Sequence, residues 1–200
     1  MKSNLFIKKL FGSAILLLAL AIMSCKNENK PADTKEVAEE ENERKFDDTK
    51  NKEDDSQYLV EAATTDLKEI EIGKLAQQKS SDPDIKAFGK MLEEDHMKSS
   101  ADVQKLAQLK NISLPAALTE DGQKMYKELD EKTGLDFDKK FADMMVDGHQ
   151  KAIDKMTKAS EEASDEEIRV WASNKLPTLT AHLEHAKSLK EKIKDKNKRP

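Results

Sequence analysis

The sequence predicts an all-α protein: an antiparallel four-helix bundle with a short extra helix in its long connection. Apolar residues return at helical spacing through four long stretches, and no strand-period segment of useful length occurs between them. Breakers mark the joints, at Asp82-Pro83, Asn111 to Pro115, Gly134 and Asp165, and Pro177 alone of the prolines falls inside a long stretch. With 38% charged and 4% aromatic side chains over 200 residues, the composition suits one helical domain with solvated ends.

The chain opens with a targeting pattern. Lys2, Lys8 and Lys9 precede an apolar run from Leu10 to Met23, which is short and wrongly flanked for a membrane span and reads as an export signal. It ends Ile22-Met23-Ser24-Cys25, which resembles the lipobox of bacterial lipoproteins, although Ile22 replaces the leucine usual three residues before the cysteine. Residues 1–25 are thus expected to be a lipoprotein signal, with Cys25 the lipidated first residue of the mature chain. Acyl burial at roughly 0.8 kcal/mol per CH₂ would then hold the protein to a membrane, as an exported lipoprotein of the cell envelope on the outer membrane or periplasmic face. Cys25 is the sole cysteine, so disulfides and thiol catalysis are not expected. Residues 26–55 are rich in Lys, Glu, Asp and Asn and poor in apolar side chains, and are expected to be a disordered tether.

The bundle is expected over residues 56–195. A first helix runs from Ser56 to Lys79, with Leu59, Ala63, Leu67 and Ile70 on one stripe and Gly73 placed for close approach of a neighbour. Ser81-Asp82-Pro83 supplies a cap and a first-turn proline for a second helix reaching Lys110, and so short a joint makes the two a hairpin. Thr119 caps a short helix through Lys132, with Gly134 as its C-cap. A third long helix spans Asp136 to Ala163, and a fourth starts at the acidic Asp165-Glu166-Glu167 turn. Pro177 removes a backbone donor inside that fourth helix and is expected to bend it, aiming His182 inward. Residues 196–200 form a basic tail.

Within this frame the chemistry gathers on His96. At about 100° per residue it falls near the centre of the stripe made by Phe88, Leu92, Ser99, Val103 and Leu106, with Glu93 and Asp95 to either side. Glu69 and His96 lie about 12 and about 15 residues from the first hairpin turn, so at ~1.5 Å per residue their heights differ by only ~4 Å. His149 and His182 lie about 15 and about 18 residues from the second turn, which again places them within ~5 Å of one level. Each long helix therefore offers one donor: Glu69, His96, His149 and His182, with His185, Glu93 and Asp95 as auxiliaries.

Inward carboxylates and imidazoles on facing helices are how ferritin-like bundles build metal sites, and three nitrogens with one carboxylate suit Zn²⁺, Fe²⁺ or Cu²⁺ better than Ca²⁺ or Mg²⁺. A di-iron site would need glutamate three residues before histidine on two helices. Glu93 and His96 match once, but Val146 and Leu179 occupy the other such positions. The competing expectation is a structural or interaction module whose core histidines are hydrogen-bonded to Asp95, Glu69 or a carbonyl and bind no cofactor. The net charge of −5 gives no sign of nucleic-acid binding, and the absence of a phosphate loop or nucleophile elbow gives none of ordinary hydrolase or kinase chemistry.

The ordered series Ala62-Ala63, Glu69-Ile70-Glu71-Ile72-Gly73-Lys74-Leu75-Ala76, Phe88 with Asp95-His96, Leu114-Pro115, Phe137-Asp138, His149-Gln150-Lys151-Ala152 and Leu176-Pro177-Thr178-Leu179 with His182-Leu183 resembles an exported bacterial family of unknown function. Its members are often labelled predicted outer membrane protein. The resemblance spans Gln57 to Leu189 and implies a ferritin-like bundle, an envelope location and a glutamate and histidine set at Glu69, His96, His149 and His182. Glu93 and His185 are not part of that set. Asp147-Gly148 departs from the acidic residue that the family places next to the histidine.

Overall fold

The computed structural model describes residues 32–196; the signal segment, Cys25 and the ends at 26–31 and 197–200 lie outside the described residues. The helices are α1 (Thr34–Phe46), α2 (Lys50–Lys79), α3 (Pro83–Lys110), α4 (Glu120–Asp130), α5 (Gly134–Glu162) and α6 (Glu166–Lys196). Among the described residues no strand occurs, and no helix is long and apolar enough to cross a membrane.

Capping chemistry starts and stops these helices. Asp82 accepts from the Asp84 amide ahead of Pro83, and Thr119 from the Gly122 amide. Asp165 Oδ1 accepts from the amides of Glu167 and Ile168 at 2.9 and 3.3 Å. Asn111 ends α3 in the left-handed region, at φ 58°.

Helices α2 and α3 form one hairpin and α5 and α6 the other, with α2 against α5 and α3 against α6. Directions follow from contacts at the ends. Ser80 bonds Asp138 and Lys79 pairs with Asp130, so α5 starts where α2 stops. Lys110 pairs with Asp165, and Lys192 with Asp84, so α6 runs antiparallel to α3. Each long helix is therefore antiparallel to both its neighbours, and the single long crossover, residues 111–133, carries α4 along the bundle. At the crossing of α2 and α3, a Cβ on Gly73 would lie 2.5 Å from the Gly89 carbonyl oxygen, and one on Gly89 would lie 2.7 Å from that of Gly73. Gly73 does admit a neighbour closely, as its placement in the sequence predicts, and Gly89 is the other half of the contact.

The expected disordered tether needs correction wherever it falls among the described residues. Residues 34–46 form α1, and α2 begins at Lys50 rather than Ser56. Ala38, Asn42 and Phe46, four apart, face inward. Asn42 closes two bonds with Ser113, Nδ2 donating to its carbonyl at 2.9 Å and Oδ1 accepting from its amide at 2.7 Å. Asp33 caps α1 through the Lys35 amide at 2.7 Å, and Lys35 pairs with Glu61 of α2 at 2.5 Å. Polar docking onto a loop and a neighbouring helix compensates for the few apolar residues. Asp55, also in the expected tether, is buried and accepts from the amides of Ser164 and Asp165, each at 2.8 Å, which fixes the turn between α5 and α6.

One smaller expectation also changes. Gly134 does not cap α4, which stops at Asp130; at φ +55° it turns the chain into α5. Pro177 lies inside α6, which is helical from Glu166 to Lys196 and buries His182.

The core has two apolar regions. One gathers Ile72, Leu92, Phe88, Phe141, Met145 and Leu189. The other gathers Leu59, Ala63, Val103, Met156, Ile168 and Leu179. In every long helix the residues of one region give way to those of the other across a buried polar position: Asp66 and Glu69 in α2, His96 in α3, His149 in α5 and His182 in α6. A polar layer thus crosses the middle of the bundle.

Candidate metal centre

The three histidines of this layer are at most 4% exposed, and one ring nitrogen from each lies within 4.8 Å of those from the others. Hydrogen bonds determine which nitrogens face inward. His96 Nδ1 donates to Asp66 Oδ1 at 2.7 Å, His149 Nδ1 to the Met145 carbonyl at 2.8 Å, and His182 Nε2 to Asp95 Oδ2 at 3.1 Å. A carbonyl or an ionised carboxylate only accepts, so each of these nitrogens carries the hydrogen, and in the neutral ring the opposite one carries a lone pair. In the neutral rings the lone pairs are those of His96 Nε2, His149 Nε2 and His182 Nδ1. Neutral imidazoles therefore set His149 Nε2 and His182 Nδ1 lone pair to lone pair at 3.2 Å, a repulsive contact unless a proton or cation lies between them. Two nitrogens at ~2.0 Å from one tetrahedral ion would stand ~3.3 Å apart.

Other atoms in the layer are also unsatisfied. His96 Nε2, Asp66 Oδ2 and Glu69 Oε2 are buried without a hydrogen-bond partner. Each such group costs about 1–3 kcal/mol if nothing fills its place. A cation held by nitrogen and carboxylate would meet that need at His96 Nε2 and Glu69 Oε2, and the outer partners, a carboxylate or carbonyl behind each imidazole, match the way metal-binding histidines are usually oriented.

Glu69 is 1% exposed and sits beside His96 and His149, where its charge favours the protonated form of both. Gly148 leaves it room, since a Cβ there would lie 3.4 Å from Glu69 Oε1. Glu69 is outside the 4.8 Å group of three histidines. The auxiliaries take other roles. Glu93 accepts from Gln77 Nε2 at 2.7 Å in the α2 and α3 interface, away from the histidines. Asp95 reaches past its neighbour His96 to support His182. His185, one turn beyond His182, is rotated off the layer and stacks on Phe88, with centroids 4.5 Å apart. The residue missed in the sequence is Asp66, three positions before Glu69 and so on the same face of α2; that spacing was the available signal.

Burial divides the proton affinities. It opposes charge on His96, but Asp66, Glu69 and Asp95 together outweigh it and hold the pKa above the usual histidine value. Burial raises Asp66 despite the opposing pull of His96. His149 is lowered by burial, helped by the charge on His96, and His182 is pushed by burial to about 4. At neutral pH His149 and His182 are therefore neutral and ligand-competent. Beside the layer lies a cavity of about 160 Å³, lined by Asp66, Asp95, His96, His182, Met156 and Trp171 among others.

Fold and site together define an all-α bundle whose middle is crossed by a buried, three-histidine polar layer. The chain belongs to the family described as Domain of unknown function (DUF4142), whose model matches residues 40–189. No curated protein sequence matches it. Among solved structures, "CopM in the Cu(II)-bound form" is similar, with a TM-score of 0.59 and 16% identity, over 69% of this chain and 96% of that one. At that identity the likeness is one of helical fold.

Proposed function

We propose that this protein binds one transition-metal ion through His96, His149 and His182, with Glu69 as the carboxylate ligand, and does so as a lipid-anchored bundle of the bacterial cell envelope. The observation that carries the metal reading is the 3.2 Å approach of His149 Nε2 and His182 Nδ1, each with its other nitrogen tied to an acceptor. Asp66, Asp95 and the Met145 carbonyl orient the ligands and are not ligands themselves. The mixed nitrogen and carboxylate set suits copper, zinc or iron. The Cu(II) named for the structure of similar fold supports copper as the first to try.

Equilibrium dialysis of the protein, purified without a histidine tag, should give one Cu²⁺ or Zn²⁺ per chain, and His149→Ala should lose it. Retention of no ion by the wild type would leave the histidines as hydrogen-bonded core residues of an envelope module. The anchor rests on Cys25 as the only cysteine. Cys25→Ala should leave the protein unlipidated and in the soluble fraction, and unchanged lipid labelling would refute that part of the proposal.

A further inference from the structure

The cavity beside the histidines has its own chemistry. It touches the polar layer from one side only: His96 and His182 line it, whereas His149 and Glu69 do not. Its walls are largely apolar, with Ala62, Ala152, Met156 and Leu179 contributed by three of the long helices. Into this space the layer presents Asp66, 3% exposed, whose Oδ1 is engaged by His96 while its Oδ2 lies outside hydrogen-bond distance of any donor; the Ser99 hydroxyl, which also lines the cavity, favours its charge only after burial and His96 have acted. Trp171 also lines the cavity, and its Nε1 is a buried donor without a partner. The lysines that line it are each engaged with a carboxylate: Lys98 with Asp95, Lys155 with Glu61 and Lys175 with Asp102.

We infer that this cavity is a binding site for a small, neutral molecule that gives the metal one nitrogen or oxygen lone pair and donates an N–H or O–H to Asp66 Oδ2. The inference rests on the metal reading, because the ion supplies the first of those contacts. An anion is disfavoured, since its approach meets a carboxylate, and the lining cations already have partners. A purely apolar guest would leave Asp66 Oδ2 unsatisfied, at the cost that any buried, unmatched acceptor carries. The volume of about 160 Å³ admits a few heavy atoms.

Ala152→Leu separates this cavity from the metal site, because Ala152 lines the cavity and neither ligates the ion nor orients a ligand. Asp66→Asn tests the polar contact, since it keeps a carbonyl oxygen for His96 and replaces the second carboxylate oxygen with a donor. The full-length protein, loaded with one Cu²⁺, is titrated with imidazole, a neutral probe with one lone pair and one N–H, and in parallel with azide, an anion. Binding is read from the copper absorption and paramagnetic resonance spectra, and from the fluorescence of Trp171, the single tryptophan of the chain, which lines the cavity. The wild type is expected to bind imidazole saturably and more tightly than azide. In Asp66→Asn, whose residue also orients His96, the preference for imidazole over azide should fall about tenfold in the copper-loaded fraction, and in Ala152→Leu neither probe should bind while copper stoichiometry stays at one. If copper binds but imidazole leaves the spectra unchanged, or binds Ala152→Leu and wild type equally, the cavity holds water only and this inference alone is overturned. If no copper binds to the wild type, the metal reading fails and this one with it.

Discussion

His182 shows how one residue couples the buried layer to pH. Its pKa of about 4 lies below the ordinary histidine value because burial penalises the imidazolium, while Asp95 opposes only part of that penalty. Between about pH 6.5 and about pH 4 the unfolded chain binds a proton that native His182 does not, so stability falls as pH drops through this window. His149 is shifted the same way. His96 is shifted the other way, and its contribution is present below the ordinary histidine pKa and is lost as pH rises through its own. The metal-free protein should therefore melt at steadily lower temperature from pH 6.5 to pH 4, and His182→Gln should flatten the slope. An equal slope in the variant would mean that the sensitivity lies elsewhere. At this scale the sequence was informative about the histidines, because each interrupts an apolar stripe at a computable height. It was less so about Asp66, because an aspartate on a charged helix has many solvated neighbours of the same type, and beyond its spacing from Glu69 only the partner across the interface, His96, distinguishes it.

Among the elements, α1 tests how far composition can be trusted. Its residues are mostly charged, which argues against a core, yet Ala38, Asn42 and Phe46 recur every four residues and dock on α2 and the crossover. The sequence hid this because the compensation is polar and remote: Asn42 and Ser113 are 71 residues apart, and their paired hydrogen bonds leave no local pattern. Phe46 is 7% exposed, so Phe46→Ala should cost about 3 kcal/mol, which at roughly 2–4 °C per kcal/mol lowers Tm by roughly 6–12 °C. A shift under ~2 °C would mean that α1 is only loosely held. The long helices were legible because their apolar period is uninterrupted and their joints carry strong signals, Asp82-Pro83 and Asp165 above all. Gly134 was misread because glycine in the left-handed region serves a helix end and a helix entrance alike.

For the whole molecule, the polar layer is a liability that the two apolar regions alone do not explain. Buried His96 Nε2, Asp66 Oδ2 and Glu69 Oε2 lack partners in one slice of the bundle. A bound ion changes that balance, since a ligand that binds only the native state at 100 times its dissociation constant adds roughly 2.7 kcal/mol. Binding should weaken on acidification, because protonated imidazole is no ligand. The most direct measurement is a calorimetric scan of wild type and His96→Ala with Cu²⁺, with Zn²⁺ and with chelator. The proposal predicts that metal raises the wild-type melt by several degrees and leaves His96→Ala, still folded, at its chelated value. Superimposable wild-type curves in all conditions would contradict it.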